Sequence, residues 1–140
     1  MNPLVTFADP ERVIRAYQQA RWSGRPEVYA PDTFSNSFPT VALTGDATHL
    51  QIELDGSADE YPVTERATVR LTFYSAPTSQ DNAKNGAALA RAFCLTHPGD
   101  ADVAGVAPLT GRLKAIDPDT KNNMVSFTVR VSLKAHAVAA

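Results

Sequence analysis

Between residues 125 and 134 the side chains alternate strictly between apolar and polar. The apolar set is Val125, Phe127, Val129, Val131 and Leu133, and the polar set is Ser126, Thr128, Arg130, Ser132 and Lys134. Successive side chains of a β-strand point to opposite faces, so this pattern predicts a strand with one buried and one solvated face. Other elements of the chain must therefore cover the apolar face.

Two further segments alternate in the same way and predict additional strands. Their apolar positions are Ala67, Val69, Leu71 and Phe73 in one segment and Leu50, Ile52 and Leu54 in the other. A shorter extended piece is predicted at Val41 and Leu43, and a longer one over residues 106–116. A turn at residues 117–123, rich in Asp, Asn and Pro, then leads into the last strand.

Two helices are predicted to supply the cover. The first begins at Asp9, whose carboxylate caps the first turn, and ends near Trp22. Its polar positions, which we expect to face water, are Arg12, Arg15, Gln18 and Gln19. The second helix begins with a capping box at residues 78–81 and ends before His97. Its small-residue stripe comprises Ala83, Ala87, Ala90 and Cys94, and such a stripe allows close packing against a sheet.

The order helix, strands, helix, strands predicts an α+β fold, with a largely antiparallel or mixed sheet and two helices packed on one face. A chain of 140 residues and 15.0 kDa has the size of a single domain spanning residues 1–140. Within it we expect a proline-rich arm at about residues 25–40 and an acidic loop at about 55–65. The apolar runs are too short for a bilayer, and the N-terminus lacks the pattern of a secretory signal, so a soluble chain is expected.

Residues with catalytic or metal-binding chemistry are sparse. His49, His97 and His136 lie far apart and have no ligand-spaced partners, and Cys94 is the single cysteine. The apolar setting of Cys94 predicts a packed core residue without a chemical role. No phosphate-binding loop or nucleophile motif occurs. These features predict no enzyme activity, no cofactor and no metal.

Charge is distributed unevenly along the chain. Residues 26–65 contain eight acids and no Lys or Arg, whereas the rest of the chain has 13 cations against seven acids, a formal charge of +6. Opposite charges on one small domain favour head-to-tail contact between copies, unless folding intermixes the two sets. The strand cations Arg70, Arg112, Lys114, Arg130 and Lys134 allow a nucleic-acid surface, but no aromatic residues are interleaved with them, which favours a solvated face.

Three aromatic residues, Tyr29, Phe34 and Phe38, fall in the proline-rich arm. Aromatic side chains exposed on an arm indicate a surface for a partner protein. Folding of the arm back onto the domain is the equal alternative.

The complete order of parts resembles the tail terminator, or tail-completion, proteins of long-tailed bacteriophages. The resemblance rests on "DPERVIRAYQQA", "PEVYAPDTFSNSFPTVALTG", "RATVRLTFYSAP", "SQDNAKNGAALARAFC" and "GRLKAIDPDTKNNMVSFTVRVSLKA". It implies a structural protein of the virion tail, assembled in the host cytoplasm, that forms a ring of six on the neck end of the tail tube. Its implied partners are other copies of itself, the tail tube protein and the head-tail connector, while DNA passes through the ring without sequence-specific binding.

A closed ring of identical subunits requires a heterologous interface. We expect the acids Glu53, Asp55, Asp59 and Glu60 to face cations of a neighbouring copy. The candidate cations are Arg12, Arg15 and Arg112. A head-tail adaptor of the same neck assembly and a small nucleic-acid-binding module are the alternative functions.

Overall fold

The computed structural model describes residues 4–60 and 63–139. In chain order the elements are β1 (Val5–Thr6), α1 (Pro10–Trp22), β2 (Thr33–Ser35), β3 (Thr48–Glu60), β4 (Thr64–Ser75), α2 (Gln80–Leu95), β5 (Val103–Pro108), β6 (Leu113–Ile116), β7 (Asn123–Lys134) and β8 (His136–Ala137). The main sheet has the order β2-β3-β4-β7-β5, and β6 also pairs with β7. Only β2 and β3 pair in parallel among these described strands, and β1 and β8 form a separate two-stranded ribbon.

The core lies between one face of this sheet and the two helices. Val69 pairs with Val129 and Leu71 with Phe127 in the β4–β7 ladder, and all four side chains are buried. α2 packs on β4 and β7, while α1 packs on β3 and against α2. The predicted α+β fold with two helices on one face of a mixed sheet is therefore confirmed.

Helix α1 begins as predicted, because the Asp9 side chain accepts a hydrogen bond from the Glu11 N–H at 3.0 Å. The expectation that Gln18 faces water is wrong. Gln18 is fully buried, where its Nε2 donates to the Ala90 carbonyl at 2.9 Å and to Cys94 Sγ at 3.1 Å. Its Oε1 accepts from Trp22 Nε1 at 2.9 Å. Each polar atom of the amide has a partner, which offsets the cost of burying it.

Helix α2 presents the predicted small-residue stripe to the sheet, with Cys94 fully buried. The predicted capping box does not form, since the Ser79 hydroxyl donates to the Gly45 carbonyl at 2.7 Å instead of capping the first turn. Gly86 makes the closest approach to the sheet. A Cβ added there would lie 2.2 Å from Cζ of Phe73, so this position has no space for a side chain.

The segment predicted as an acidic loop at about 55–65 is largely strand. β3 continues to Glu60 and β4 begins at Thr64, so the two strands form a long hairpin. A β-bulge between Leu54 and Gly56 shifts the register, and Gly56 has φ of 151°, a value that favours glycine. Beyond the bulge, β3 pairs with β4 again, and this pairing continues as far as Thr64 of β4.

The proline-rich arm is also more ordered than predicted, and Val41 and Leu43 are not in a strand. Residues Thr33–Ser35 pair with His49–Gln51 of β3 as strand β2. Asn122 holds the following segment, since its Nδ2 donates to the Val41 carbonyl and its Oδ1 accepts from the Leu43 N–H at 2.8 Å. The arm therefore lies against the sheet and is held there by side-chain hydrogen bonds. An alternating sequence pattern does not indicate such bonds.

The extended stretch predicted over residues 106–116 is divided into β5 and β6, with residues 109–112 between them. Both strands pair with β7, at its C-terminal and N-terminal halves respectively. Within residues 4–60 and 63–139, no helix is both long and apolar enough to cross a membrane.

Candidate assembly interface

The predicted acids lie along β3 on one side of the main sheet, and we call residues 53–60 the acidic edge. β2 covers only residues 49–51 of β3, so within the described chain no strand pairs with that side of residues 53–60. Glu11 of α1 accepts a hydrogen bond from the Leu54 N–H at 2.7 Å. The side chains of Asp59 and Glu60 lie outside the described part of the structure, although the backbone of both residues belongs to β3.

One of the predicted acids, Asp55, forms an ion pair within the chain. Arg70 lies opposite Glu53 in the β3–β4 ladder, and its Nη2 is 3.0 Å from Oδ2 of Asp55. Both side chains of the Arg70–Asp55 ion pair are more than a third exposed, so the pair contributes at most about 1 kcal/mol. Folding therefore intermixes some of the charges that the sequence separates.

The aromatic residues of the arm divide between core and surface. Tyr29 packs edge-on against Trp22, with ring centroids 6.2 Å apart, and Phe34 is half-buried against the same core. Phe38 remains exposed over 59% of its surface. Of the three predicted contact residues, Phe38 therefore offers the largest free apolar surface to a partner.

The side chain of His49 holds the arm against β3 through hydrogen bonds and does not form a reactive site. Its Nδ1 is 2.5 Å from the Thr33 hydroxyl oxygen, and its Nε2 is 2.8 Å from the Ser37 carbonyl oxygen. Burial lowers the pKa of His49, and the bond to Ser37 opposes this effect. A neutral imidazole that donates from Nε2 and accepts at Nδ1 fits these contacts.

A second exposed edge lies at the opposite side of the sheet. Every residue from Ala107 to Ile116 is exposed, including Leu109 at 42%, Leu113 at 66% and Ile116 at 59%. A groove of about 330 Å³ beside β6 is lined by Lys84, Arg112, Lys114 and Val125. We call residues 109–116 together with Lys84 the basic edge.

The structure separates the three predicted cations. Arg12 and Arg15 lie on α1, which packs over β3 and carries Glu11 to the acidic edge. Arg112 lies at the basic edge, beyond β7. Within the chain, Arg112 is therefore the predicted cation that lies on the opposite side of the sheet from the acids.

Sequence reasoning missed Lys84, Leu113 and Ile116 as candidate contact residues. Leu113 and Ile116 are three positions apart on a strand, so they lie on opposite faces and produce no apolar stripe. Lys84 belongs to a helix and reaches the same groove only through the tertiary fold. The one local signal was the pair of large apolar residues within "GRLKAI".

The buried thiol has no features of a nucleophile. Burial raises the pKa of Cys94 to about 12, although the hydrogen bond from Gln18 opposes this effect. Its prediction as a packed core residue is confirmed. No group of three or more metal-ligating side chains occurs in the part of the chain that the structure describes.

No protein-family model and no curated protein matches the chain by sequence. Several solved structures match its fold. One of them is a chain of the virion of a native gene transfer agent particle. That chain superimposes with a TM-score of 0.61 and 12% sequence identity, over 86% of this chain and 92% of its own length.

Proposed function

We propose that this chain is a structural virion protein that acts by binding other proteins, not by catalysis. The fold match to a virion chain carries the proposal, because it extends over 86% of this chain and 92% of the matched one. Agreement over nearly all of both chains involves the complete domain and not a common supersecondary motif. Fold alone does not specify function, so surface features must support the assignment.

The two edges of the sheet supply that support. Acids follow the open side of β3, while Lys84, Arg112 and Lys114 surround the groove beside β6. A protein with complementary surfaces on opposite sides can associate head to tail, and such association closes into a ring when the rotation between copies permits. This arrangement fits a subunit that associates head to tail.

Our specific proposal is a tail terminator. The chain would form a ring of six on the neck end of the tail tube, stop polymerisation of the tube and present a surface to the head-side connector. DNA would pass through the opening without sequence-specific contacts. An acidic or neutral lining of the opening would suit that passage, because carboxylates do not retain phosphates.

The test is to mix the purified chain with tail tubes polymerised from the tube protein of the same virus. We expect electron micrographs to show rings on one end of each tube, and tube length to stop increasing after addition. Binding to the connector without binding to tubes would instead identify a head-tail adaptor. Salt-sensitive binding to DNA by the isolated chain, without either protein contact, would support a nucleic-acid-binding module.

A further inference from the structure

Strand β6 differs from the other strands of the main sheet in its exposure. All four of its residues are exposed, and no strand within the described residues pairs with its outer side. An exposed apolar edge strand is a template for pairing with another chain. The exposed side chains of Leu113 and Ile116 make β6 such a template.

The hydrogen-bond pattern shows which backbone groups point outward. The Asp117 N–H donates to the Asn122 carbonyl at 2.9 Å at the turn between β6 and β7. Hydrogen-bonded pairs alternate with non-bonded pairs in an antiparallel ladder. The next two pairs of the register are Ile116 with Asn123 and Ala115 with Met124. By this alternation, the N–H and C=O groups of Lys114 and Ile116 point away from β7 and are available to another strand.

Of the other exposed edges, β5 is protected along its length and β3 only at its N-terminal part. β5 contains a bulge between Val103 and Gly105 and ends at Pro108, and both features oppose further pairing. On β3, strand β2 covers residues 49–51 and Glu11 accepts the Leu54 N–H, which leaves the outer side of residues 55–60 open. β6 has neither a bulge, a proline nor a covering strand within the described residues.

The groove beside β6 favours an acidic occupant. Among the described residues that line it, Lys84, Arg112 and Lys114 are cations, and Val125 is apolar. An extended segment that pairs with β6 would place its side chains beside these cations. The chain itself contains a matching segment in residues 53–60, which has four acids, no cation and an open side.

We infer that the basic edge binds the acidic edge of a second copy of this chain, with residues 55–60 of the second copy added as a strand to β6. Main-chain hydrogen bonds to Lys114 and Ile116 supply affinity, and the carboxylates opposite Lys84, Arg112 and Lys114 fix register and direction. The inference rests on the proposed function in taking a second copy as the occupant. It is tested without tubes or connector, so its failure is distinct from failure of the function.

The experiment measures self-association of the full chain by analytical ultracentrifugation over a range of protein and salt concentrations. We expect association that weakens with salt, and a dissociation constant raised about tenfold or more in Arg112→Glu/Lys114→Glu. Asp59→Lys/Glu60→Lys should weaken association to a similar extent. An equimolar mixture of the two variants should associate again, because each variant keeps one wild-type edge that complements the wild-type edge of the other.

The matched control is Arg21→Glu/Arg25→Glu, which changes the net charge by the same amount near the C-terminal end of α1, at the opposite end of that helix from Glu11. We expect this variant to associate like the wild type. The inference is overturned if the control dissociates and the β6 variant does not. It is also overturned if the wild type stays monomeric at every concentration, or if the mixed variants fail to associate.

A second pair of variants tests the strand addition separately from the charges. Ile116→Pro removes an outward N–H without removing a bond to β7, whereas Ile116→Ala removes the apolar side chain and keeps the N–H. We expect the proline variant to associate more weakly than the alanine variant at equal thermal stability. Equal association of the two variants would exclude backbone pairing at β6.

Discussion

Replacement of Gly86 by Ala tests the packing of α2 on the sheet, because two physical effects oppose each other at this position. In a helix interior, Ala is favoured over Gly by about 1 kcal/mol. The added Cβ, however, would lie 2.2 Å from Cζ and 2.3 Å from Cε1 of Phe73. Carbon atoms in contact are normally about 3.5–4.0 Å apart, so one of the two groups must move by more than about 1 Å.

The Phe73 ring has little freedom to move. It is fully buried, and the ring of Trp22 lies 6.0 Å from it between centroids. Overpacking of a filled core costs about 1–3 kcal/mol, which meets or exceeds the gain in helix propensity. The net effect is a loss of about 0–2 kcal/mol, so we expect Gly86→Ala to lower the free energy of unfolding by up to about 2 kcal/mol and the melting temperature by up to about 8 °C.

The assay is chemical and thermal unfolding followed by circular dichroism. Asn85→Ala is the matched control, because Asn85 is exposed on the same helix, and we expect this change to be neutral or slightly stabilising. Adding Phe73→Leu should make Gly86→Ala less damaging than it is alone, with a coupling of about 0.5–3 kcal/mol. A stabilising effect of Gly86→Ala in the wild-type background would refute the close packing of α2 on β4.

Three further predictions concern the core and its titratable groups. Val129→Asp places a carboxylate in the fully buried centre of β7 at a cost of several kcal/mol, so an unfolded chain is expected by circular dichroism, and a normal melting temperature would contradict the strand register. Cys94 should resist thiol reagents at pH 8 until the protein unfolds, because burial raises its pKa to about 12, and Cys94→Ala should cost about 1 kcal/mol while keeping the fold. His49 has a lowered pKa, so its contribution to stability is present above about pH 6.5, the pKa of an unfolded histidine, and declines as the pH falls toward the folded value. The difference in unfolding free energy between wild type and His49→Gln should shrink from pH 7.5 to pH 5, and a constant difference would contradict a buried neutral imidazole.

The elements that the sequence predicted well are those in which local pattern and tertiary environment agree. The alternation around Val129 and the cap at Asp9 are local signals, and both lead to the observed elements. The polar residues beside Gln18 in the helix pattern predict a solvent-facing side chain, but Trp22 and Cys94 satisfy its amide inside the core. Cys94 is distant from Gln18 in sequence. The helical periodicity of α1 carries no information about such a partner.

The acidic segment and the basic edge show the same limitation. A run with many polar residues and Gly56 is typical of a loop, yet the neighbouring strand β4 provides a ladder that keeps it extended. Leu113 and Ile116 are candidates for binding because both are exposed on β6 in the folded chain. Exposure of an edge strand is a property of the whole sheet, so no local pattern indicates it.

The most direct test of the proposed function is electron microscopy of the purified chain, alone and mixed with tail tubes of the same virus. A structural protein of the tail neck should form closed rings of uniform diameter and occupy one end of each tube. The Arg112→Glu/Lys114→Glu variant should form no rings and should leave tube ends bare. A chain that remains monomeric and leaves both ends of the tubes free and growing would contradict a role in tail completion.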